Sequence, residues 1–183
     1  MQNQASSRII KIMSQEKSEY VFITERLGFR WVDENDFENM LRLDLDPEVR
    51  KYLGGALTKE TVRERLQKWL KLRHKTGFGV FVAENLANKE FVGRCGFYKM
   101  PDGKVAVGRV FLQKFCGEGL GTEAMFALLK WAERNITVDY IVATTSPYNI
   151  PARKSLENVG FQYYKAGAED RMWRLYYKIE LKK

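Results

Sequence analysis

The stretch FLQKFCGEGLGTEAMFALLKWAE, residues 111–133, decides how the rest of the sequence is interpreted. Its glycines follow the spacing GxGxG at Gly117, Gly119 and Gly121, between an apolar strand-like run and an amphipathic helix pattern. A glycine-rich turn at the start of a helix directs several backbone N–H groups to one point, where the helix dipole favours an anion. The pattern therefore indicates either a tight turn or a phosphate-binding loop, to which Thr122 could add a hydroxyl group.

Two familiar phosphate-binding loops do not match this stretch. A P-loop ends in Gly-Lys-Ser/Thr, whereas this chain has Gly121, Thr122 and Glu123 there. A dinucleotide-binding loop has the spacing GxGxxG inside a repeated strand–helix–strand unit, whereas the strand patterns before residue 111 are typical of antiparallel hairpins. A different class of phosphate-bearing ligand is therefore indicated, with a simple turn as the alternative.

Length and composition limit the class of protein. The chain has 183 residues, 45% of them hydrophobic, which is typical of one globular domain with its own core. Its net charge of +8 favours anionic partners, but the basic residues are scattered along the chain, so we expect no nucleic-acid partner. No apolar run is long enough to span a bilayer, so we expect no membrane partner. Two cysteines without a CxxC pair are typical of reduced thiols, so we expect a cytoplasmic protein.

Metal chemistry and a disulfide framework are not expected either. The two cysteines, Cys95 and Cys116, form no CxxC pair, and the single histidine, His74, lies in a strongly polar stretch. One histidine is too few for a histidine-based metal cluster. Residues 1–19 contain only a short, interrupted apolar patch, so they are predicted to be a flexible extension before a single domain over residues 20–183.

The hydrophobic periodicity predicts an α+β domain with one mixed sheet. The predicted order is β-α-α-β-β-β-α-β-α-β-β, with the first strand at residues 24–32 and a meander of three strands before the glycine stretch. Thr58 and Gly77 are the expected ends of a long amphipathic helix. A short helix is also expected after Pro47, ending at residues 54–55.

Two motifs resemble those of the GNAT N-acetyltransferases. GEGLGTEA at residues 117–124 follows a strand and opens a helix, and NIPARKSLENVGF at residues 149–161 follows the next strand. The N-terminal TERLGFRWVDENDFENMLRLDLDPEVRKYLGG, residues 24–55, is similar to the start of the RimJ/RimL-like subgroup, which acetylates N-termini of ribosomal proteins and also contains small-molecule acetyltransferases. The resemblance implies the GNAT fold: a central, twisted, mixed but mostly antiparallel sheet of about six or seven strands, flanked by about four helices.

The resemblance further implies acetyl-CoA as the cosubstrate, held between two splayed parallel strands, and no metal. Backbone groups of the strand before the glycines would pair with the pantetheine arm, and the glycine segment would bind the diphosphate. The next helix would contribute further contacts, although its Arg153 and Lys154 are expected to form a solvated face rather than to bind phosphate. The implied cofactor-binding residues are Val110, Phe111, Leu112, Gly117, Glu118, Gly119, Leu120, Gly121, Thr122, Asn149 and Ser155.

The side-chain chemistry departs from the family pattern. Cys116 stands where the family has arginine or glutamine, Ala106 where a glutamate is common, and Leu156 where many members carry a tyrosine acid. Both usual positions for proton transfer are therefore without an ionisable group. The predicted catalytic residues are those left within reach of the groove, namely Glu84, Ser146 and Tyr148.

Two functions remain open from the sequence. The first is direct transfer of acetyl from acetyl-CoA to a primary amine in a ternary complex, the acceptor being a protein N-terminus or a small amine such as a polyamine or an aminoglycoside antibiotic. The second is a noncatalytic CoA-binding regulatory module, which the missing acid and base would explain. A monomer and a homodimer are both compatible with the sequence.

Overall fold

The computed structural model describes residues 19–169 and 172–182, and eight strands in this part of the chain form one sheet. They are β1 (Phe22–Ile23), β2 (Leu27–Trp31), β3 (Val80–Asn85), β4 (Phe91–Lys99), β5 (Val105–Phe111), β6 (Tyr140–Thr145), β7 (Gln162–Glu169) and β8 (Met172–Glu180). Their order across the sheet is β1-β2-β3-β4-β5-β6-β8-β7, and every neighbouring pair is antiparallel except β5 and β6.

Four α-helices in the described residues cover the two faces of the sheet. They are α1 (Phe37–Asp44), α2 (Lys59–Thr76), α3 (Leu120–Asn135) and α4 (Ile150–Val159). Helices α1 and α2 bury Met40, Val62 and Leu66 in one core, whereas α3 and α4 bury residues such as Leu128 and Leu156 in another. The sheet thus separates two cores, and no helix in the described part has the length and apolar character needed to cross a membrane.

Local signals predicted the helix ends well. The Thr58 hydroxyl accepts a hydrogen bond from the N–H of Thr61 at the start of α2, and Gly77 ends the helix with a left-handed φ of 74°. Asn149 begins α4, and Gly160, with a φ of 104°, ends it. The predicted α+β architecture is confirmed, with eight strands rather than six or seven because the two-residue β1 adds itself to the edge of β2.

The helix expected after Pro47 is absent from the structure, and the segment forms successive turns instead. The guanidinium group of Arg50 donates hydrogen bonds to the carbonyls of Leu53 and Gly55, both at 2.6 Å. Gly54 and Gly55 have φ values of 90° and 85°, which suit the end of a helix, but the residues before them form turns rather than a continuous helix. The predicted extension over residues 1–19 lies outside the described residues apart from residue 19 itself.

The parallel strands β5 and β6 touch only at one end. Their single registered pair joins Ala106 to Val142, whereas β4 and β5 are paired from Lys99 and Val105 up to Gly93 and Phe111. Beyond that single pair, no registered pair joins the two strands in the described residues, so the side of β5 that faces β6 has no registered partner from Val107 to Phe111. The space between the carboxyl-terminal parts of β5 and β6 is called the cleft below.

Candidate active site

The glycine segment reverses the chain between β5 and α3 through left-handed glycines. Gly117 and Gly119 have φ values of 91° and 80°, and α3 begins at Leu120 directly after them. A Cβ at Gly117 would meet no atom within 4 Å, so the backbone conformation rather than crowding calls for glycine there. Both glycines therefore allow a turn that other residues would strain.

The turn presents a row of free backbone donors. The N–H of Thr122 donates to the carbonyl of Gly119 at 3.1 Å, closing the first turn of α3. Within residues 19–169 and 172–182, no protein acceptor is recorded for the N–H groups of the five residues before it: Gly117, Glu118, Gly119, Leu120 and Gly121. These donors lie at the positive end of the helix dipole, where an anion is favoured.

Arg26 and Glu123 hold this turn against the sheet. The Arg26 guanidinium donates to the carbonyl of Glu118 at 3.0 Å and pairs with the Glu123 carboxylate at 2.7 Å. The Thr24 hydroxyl donates to the same carboxylate at 2.6 Å. Because these contacts engage the Glu118 carbonyl, they constrain the peptide units on either side of it.

The register of the sheet shows which backbone groups line the cleft. The N–H of Leu112 donates to the carbonyl of Val92 on the β4 side at 2.9 Å. Backbone groups alternate in direction along a strand, so those of Val110 also point toward β4. The unpaired, cleft-facing backbone groups are those of Arg109 and Phe111. Of the three residues predicted to pair with the pantetheine arm, Phe111 directs its backbone groups away from β4, whereas Val110 and Leu112 direct theirs toward β4.

Helices α3 and α4 meet at the open end of the cleft. The hydroxyl groups of Thr122 and Ser155 are 2.7 Å apart and link the two helices. The Oδ1 atom of Asn149 accepts from the N–H of Ala152 at 3.2 Å, which caps α4. No acceptor for the Nδ2 group of Asn149 is recorded among the described residues, so it can donate to a ligand.

The two basic residues of α4 have different surroundings. Arg153 is half-buried and donates from Nη1 to the carbonyl of Pro147 at 3.2 Å, and its buried Nε has no hydrogen-bond partner recorded among the described residues, whereas Lys154 is exposed. The described residues contain no group of three or more histidine, cysteine or acidic side chains that could hold a metal ion.

The three predicted catalytic residues lie in different places. Glu84 is on β3, two strands from β5, where it accepts from Arg30 at 2.8 Å and from the Tyr20 hydroxyl at 2.9 Å. Ser146 and Tyr148 follow β6 at the end of the cleft, and the Ser146 hydroxyl accepts from the Tyr148 N–H at 3.3 Å. Tyr148 is 78% exposed. The structure thus brings Ser146 and Tyr148 together, whereas Glu84 belongs to a separate ion-pair network.

The positions that usually hold acid and base are apolar, as expected. Ala106 is fully buried and Leu156 is buried in the core beneath α4. Tyr98 on β4 is paired with Ala106 on β5. Burial raises the pKa of Tyr98, so its hydroxyl stays protonated at neutral pH. The sequence pattern did not single out Tyr98.

A second residue was also missed at the sequence level. Arg109 projects from β5 to the α3 side, where its Nε atom lies 2.7 Å from the place a Cβ of Gly121 would occupy. Burial lowers the pKa of Arg109 to about 10. An arginine in an otherwise apolar strand, a few residues before a glycine turn, was the available sequence signal.

The family-level comparison agrees with this geometry. A protein-family model described as an acetyltransferase (GNAT) domain matches residues 26–162. The chain therefore belongs to the GNAT acetyltransferase family, and it is an acyltransferase.

Among curated proteins, it is similar to the uncharacterized protein YkkB of Bacillus subtilis (strain 168), with 27% identity over 149 residues, 78% of this chain and 86% of YkkB. It is also similar to the uncharacterized N-acetyltransferase p20 of Bacillus licheniformis, with 28% identity over 146 residues, 76% of this chain and 80% of p20.

Solved structures of the same fold include proteins bound to coenzyme A. A GNAT-family acetyltransferase from Bacillus anthracis is 26% identical, with a TM-score of 0.72 over 85% of this chain and 95% of that one. An aminoglycoside acetyltransferase in complex with coenzyme A is 18% identical, with a TM-score of 0.69 over 84% and 94%. A spermidine N-acetyltransferase from Vibrio cholerae, in complex with CoA and spermine, is 14% identical, with a TM-score of 0.72 over 85% and 95%.

Proposed function

We propose that this acyltransferase moves acetyl from acetyl-CoA directly to a primary amine while both substrates are bound. The observation that carries the proposal is the cleft between β5 and β6, which leads to the glycine segment with its free N–H groups. The unpaired edge of β5 can pair with the amide-bearing pantetheine arm as it would with an added strand. The free donors at the start of α3 suit a diphosphate.

The residues of this chain fit such a cosubstrate without a further cofactor. The backbone of Phe111 faces the cleft and offers an N–H that can polarise a carbonyl oxygen placed there. The Asn149 amide can donate to the pantetheine arm from α4 while its oxygen caps that helix. Acetyl-CoA supplies a thioester carbonyl that a neutral amine can attack.

We further propose that proton transfer proceeds without a strong dedicated base. The carboxylate of Glu84 is held by Arg30 and Tyr20, and the hydroxyl groups of Ser146 and Tyr148 are weak bases. Positioning of the amine together with a water relay then carries the reaction. Alanine at any one of these three positions should lower kcat by less than about a thousandfold, which corresponds to about 4 kcal/mol. A larger loss with KM unchanged would identify a dedicated catalytic group.

For the acceptor, we propose N-terminal amines of proteins, as in the RimJ/RimL-like subgroup. The net charge of +8 opposes binding of polycations, so a peptide N-terminus with acidic residues suits the surface better than a polyamine. Small amines, including antibiotics, are the second candidate. The aminoglycoside and spermidine enzymes share only the fold at 18% and 14% identity.

The experiment is an amine panel with acetyl-CoA, in which thiol release is followed and the products are weighed by mass spectrometry. Peptides with free N-termini, polyamines and aminoglycosides form the three arms, and N-terminally blocked peptides are the control. Acetylated peptide is the expected product. Tight CoA binding without turnover in any arm would instead support a noncatalytic module.

Kinetics also distinguish direct transfer from an acetyl-enzyme route through Cys116. Cys116 is exposed, but partial desolvation raises the pKa of its thiol although Arg109 opposes the shift, so the thiol is mostly protonated and a poor nucleophile at neutral pH. We expect intersecting initial-velocity lines and a Cys116→Ala variant with kcat within about twofold of the wild type. Parallel lines together with acetylated Cys116 would contradict direct transfer. A cytoplasmic location and a monomeric or homodimeric state stay predictions.

A further inference from the structure

Arg109 is a half-buried cation for which no counterion is recorded among the described residues. In the part of the chain that the structure describes, no acidic side chain, carbonyl or aromatic ring is recorded in contact with its guanidinium group. The buried Arg94 behaves differently: it pairs with Asp44 at 2.9 Å. Arg174 likewise donates to the carbonyl of Tyr52 at 2.7 Å.

An unpaired guanidinium is unfavourable at this place for two physical reasons. Partial burial reduces its contact with water, yet with a pKa of about 10 it remains charged at pH 7. It also lies beside Gly121, in the first turn of α3, where the positive end of the helix dipole repels a cation. Neither the sheet nor the helix compensates for these costs, so stability of the fold does not account for the residue.

The position of Arg109 relates it to the cosubstrate. Its backbone faces the cleft between β5 and β6, and its side chain runs under the glycine segment. A Cβ at residue 121 would lie 2.7 Å from Nε and 3.5 Å from Cδ and Cζ, so the glycine leaves room for this side chain. The guanidinium therefore lies between the strand that would pair with the pantetheine arm and the amides that would bind phosphate.

We propose that Arg109 binds the diphosphate of acetyl-CoA from the strand side, opposite the backbone amides of the glycine segment. This inference rests on the proposed function. It gives the site a cation that residue 116 lacks, because cysteine stands where the family has arginine or glutamine. Bidentate hydrogen bonds from guanidinium to phosphate oxygens are strong and directional, which a lysine cannot reproduce.

The test compares wild type, Arg109→Gln, Arg109→Lys and the control Arg134→Gln. Arg134 is exposed in the last turn of α3, so its replacement removes the same charge from the other end of the same helix. Calorimetry with CoA measures affinity, and steady-state kinetics with S-acetylpantetheine, which lacks the diphosphate, measures the remaining contacts. Melting temperatures without ligand report stability.

We expect Arg109→Gln to raise the Kd of CoA by about tenfold to a hundredfold, Arg109→Lys to lie between, and Arg134→Gln to match the wild type. The KM for S-acetylpantetheine should change by less than about twofold, and the melting temperature without ligand should not fall. An equal weakening of CoA binding and of the KM for S-acetylpantetheine, or a lowered melting temperature without ligand, would assign Arg109 a structural role. An unchanged Kd for CoA would overturn the inference alone, whereas a wild type that does not bind CoA would overturn the proposed function as well.

Discussion

Replacing Gly117 by alanine tests whether the backbone of the glycine segment forms the cosubstrate site. Gly117 has a φ of 91°, and a Cβ there would meet no atom within 4 Å, so the cost of alanine arises from the backbone alone. A left-handed conformation costs an L-residue about 1–2 kcal/mol. In a domain of this size each kcal/mol lowers the Tm by about 2–4 °C, so we expect a Tm about 2–8 °C below that of the wild type.

Gly103 provides a matched control for this substitution. It has a φ of 83°, also with no atom within 4 Å of a Cβ, but it lies in the turn between β4 and β5. Gly103→Ala should therefore lower the Tm by the same about 2–8 °C. Only Gly117→Ala should weaken CoA binding, because relaxation of its φ turns neighbouring amides away from the phosphate. One lost hydrogen bond to a charged group corresponds to about a tenfold to hundredfold rise in Kd.

Thermal unfolding and calorimetry with CoA are the two assays, run on the wild type and both variants. A Gly117→Ala protein that loses stability but keeps the wild-type Kd would refute the role of these amides. Equal weakening of CoA binding in both variants would point to general loosening of the fold. A Gly117→Ala protein with unchanged Tm would show that the left-handed turn is not strained by alanine.

Three further changes have defined outcomes. Asp44→Asn leaves the buried Arg50 and Arg94 without their carboxylate, so urea unfolding should show a loss of about 3–5 kcal/mol, against little change for the exposed Glu48→Gln. Asn149→Asp keeps the oxygen that caps α4 but loses the amide donor. We therefore expect an unchanged Tm and a Kd of CoA that rises about tenfold. A wild-type Kd would exclude the amide contact. Burial alone would raise the pKa of Asp36, but hydrogen bonds from Arg30 and the Asp33 backbone outweigh burial, so the net shift of this pKa is downward. The ionised Asp36 therefore stabilises the fold above the ordinary pKa of 3.8, and this stabilisation is lost as the pH falls through the lower pKa of the folded state. Asp36→Asn should therefore reduce stability at pH 7 and flatten its acid dependence in urea titrations; an unchanged acid profile would contradict this assignment.

Helix ends that depend on neighbouring residues were predictable from the sequence. The helix predicted after Pro47, which the structure does not contain, shows that local residue patterns are not sufficient where distant contacts shape the chain. Thr58 and Gly77 bound α2 through hydrogen bonds and dihedral angles confined to a few neighbouring residues. The turns over residues 47–55 depend instead on Arg50, which binds nearby carbonyls while its charge is held by Asp44. That arrangement exists only when α1 packs against the sheet.

The candidate site also contains features that the sequence could predict and features that it could not. The glycine spacing and Asn149 could be identified because each acts through its own backbone or the helix that it begins. The ion pair of Glu84 with Arg30 joins strands 54 residues apart, so no local pattern could exclude Glu84 as a free carboxylate. Arg109 and Gly121 likewise lie close together only because α3 folds back against β5.

By itself, the sequence determined the α+β order, the glycine-rich turn before α3 and the resemblance to GNAT enzymes, because these depend on spacing and on the conformational freedom of particular residues. Only the tertiary structure decided that Phe111 and Arg109, rather than Val110 and Leu112, direct their backbone groups into the cleft, since that follows from the register of β4 and β5. It also decided that Arg109 has no counterion among the residues that the structure describes, because charged side chains acquire partners only after distant strands and helices have packed together.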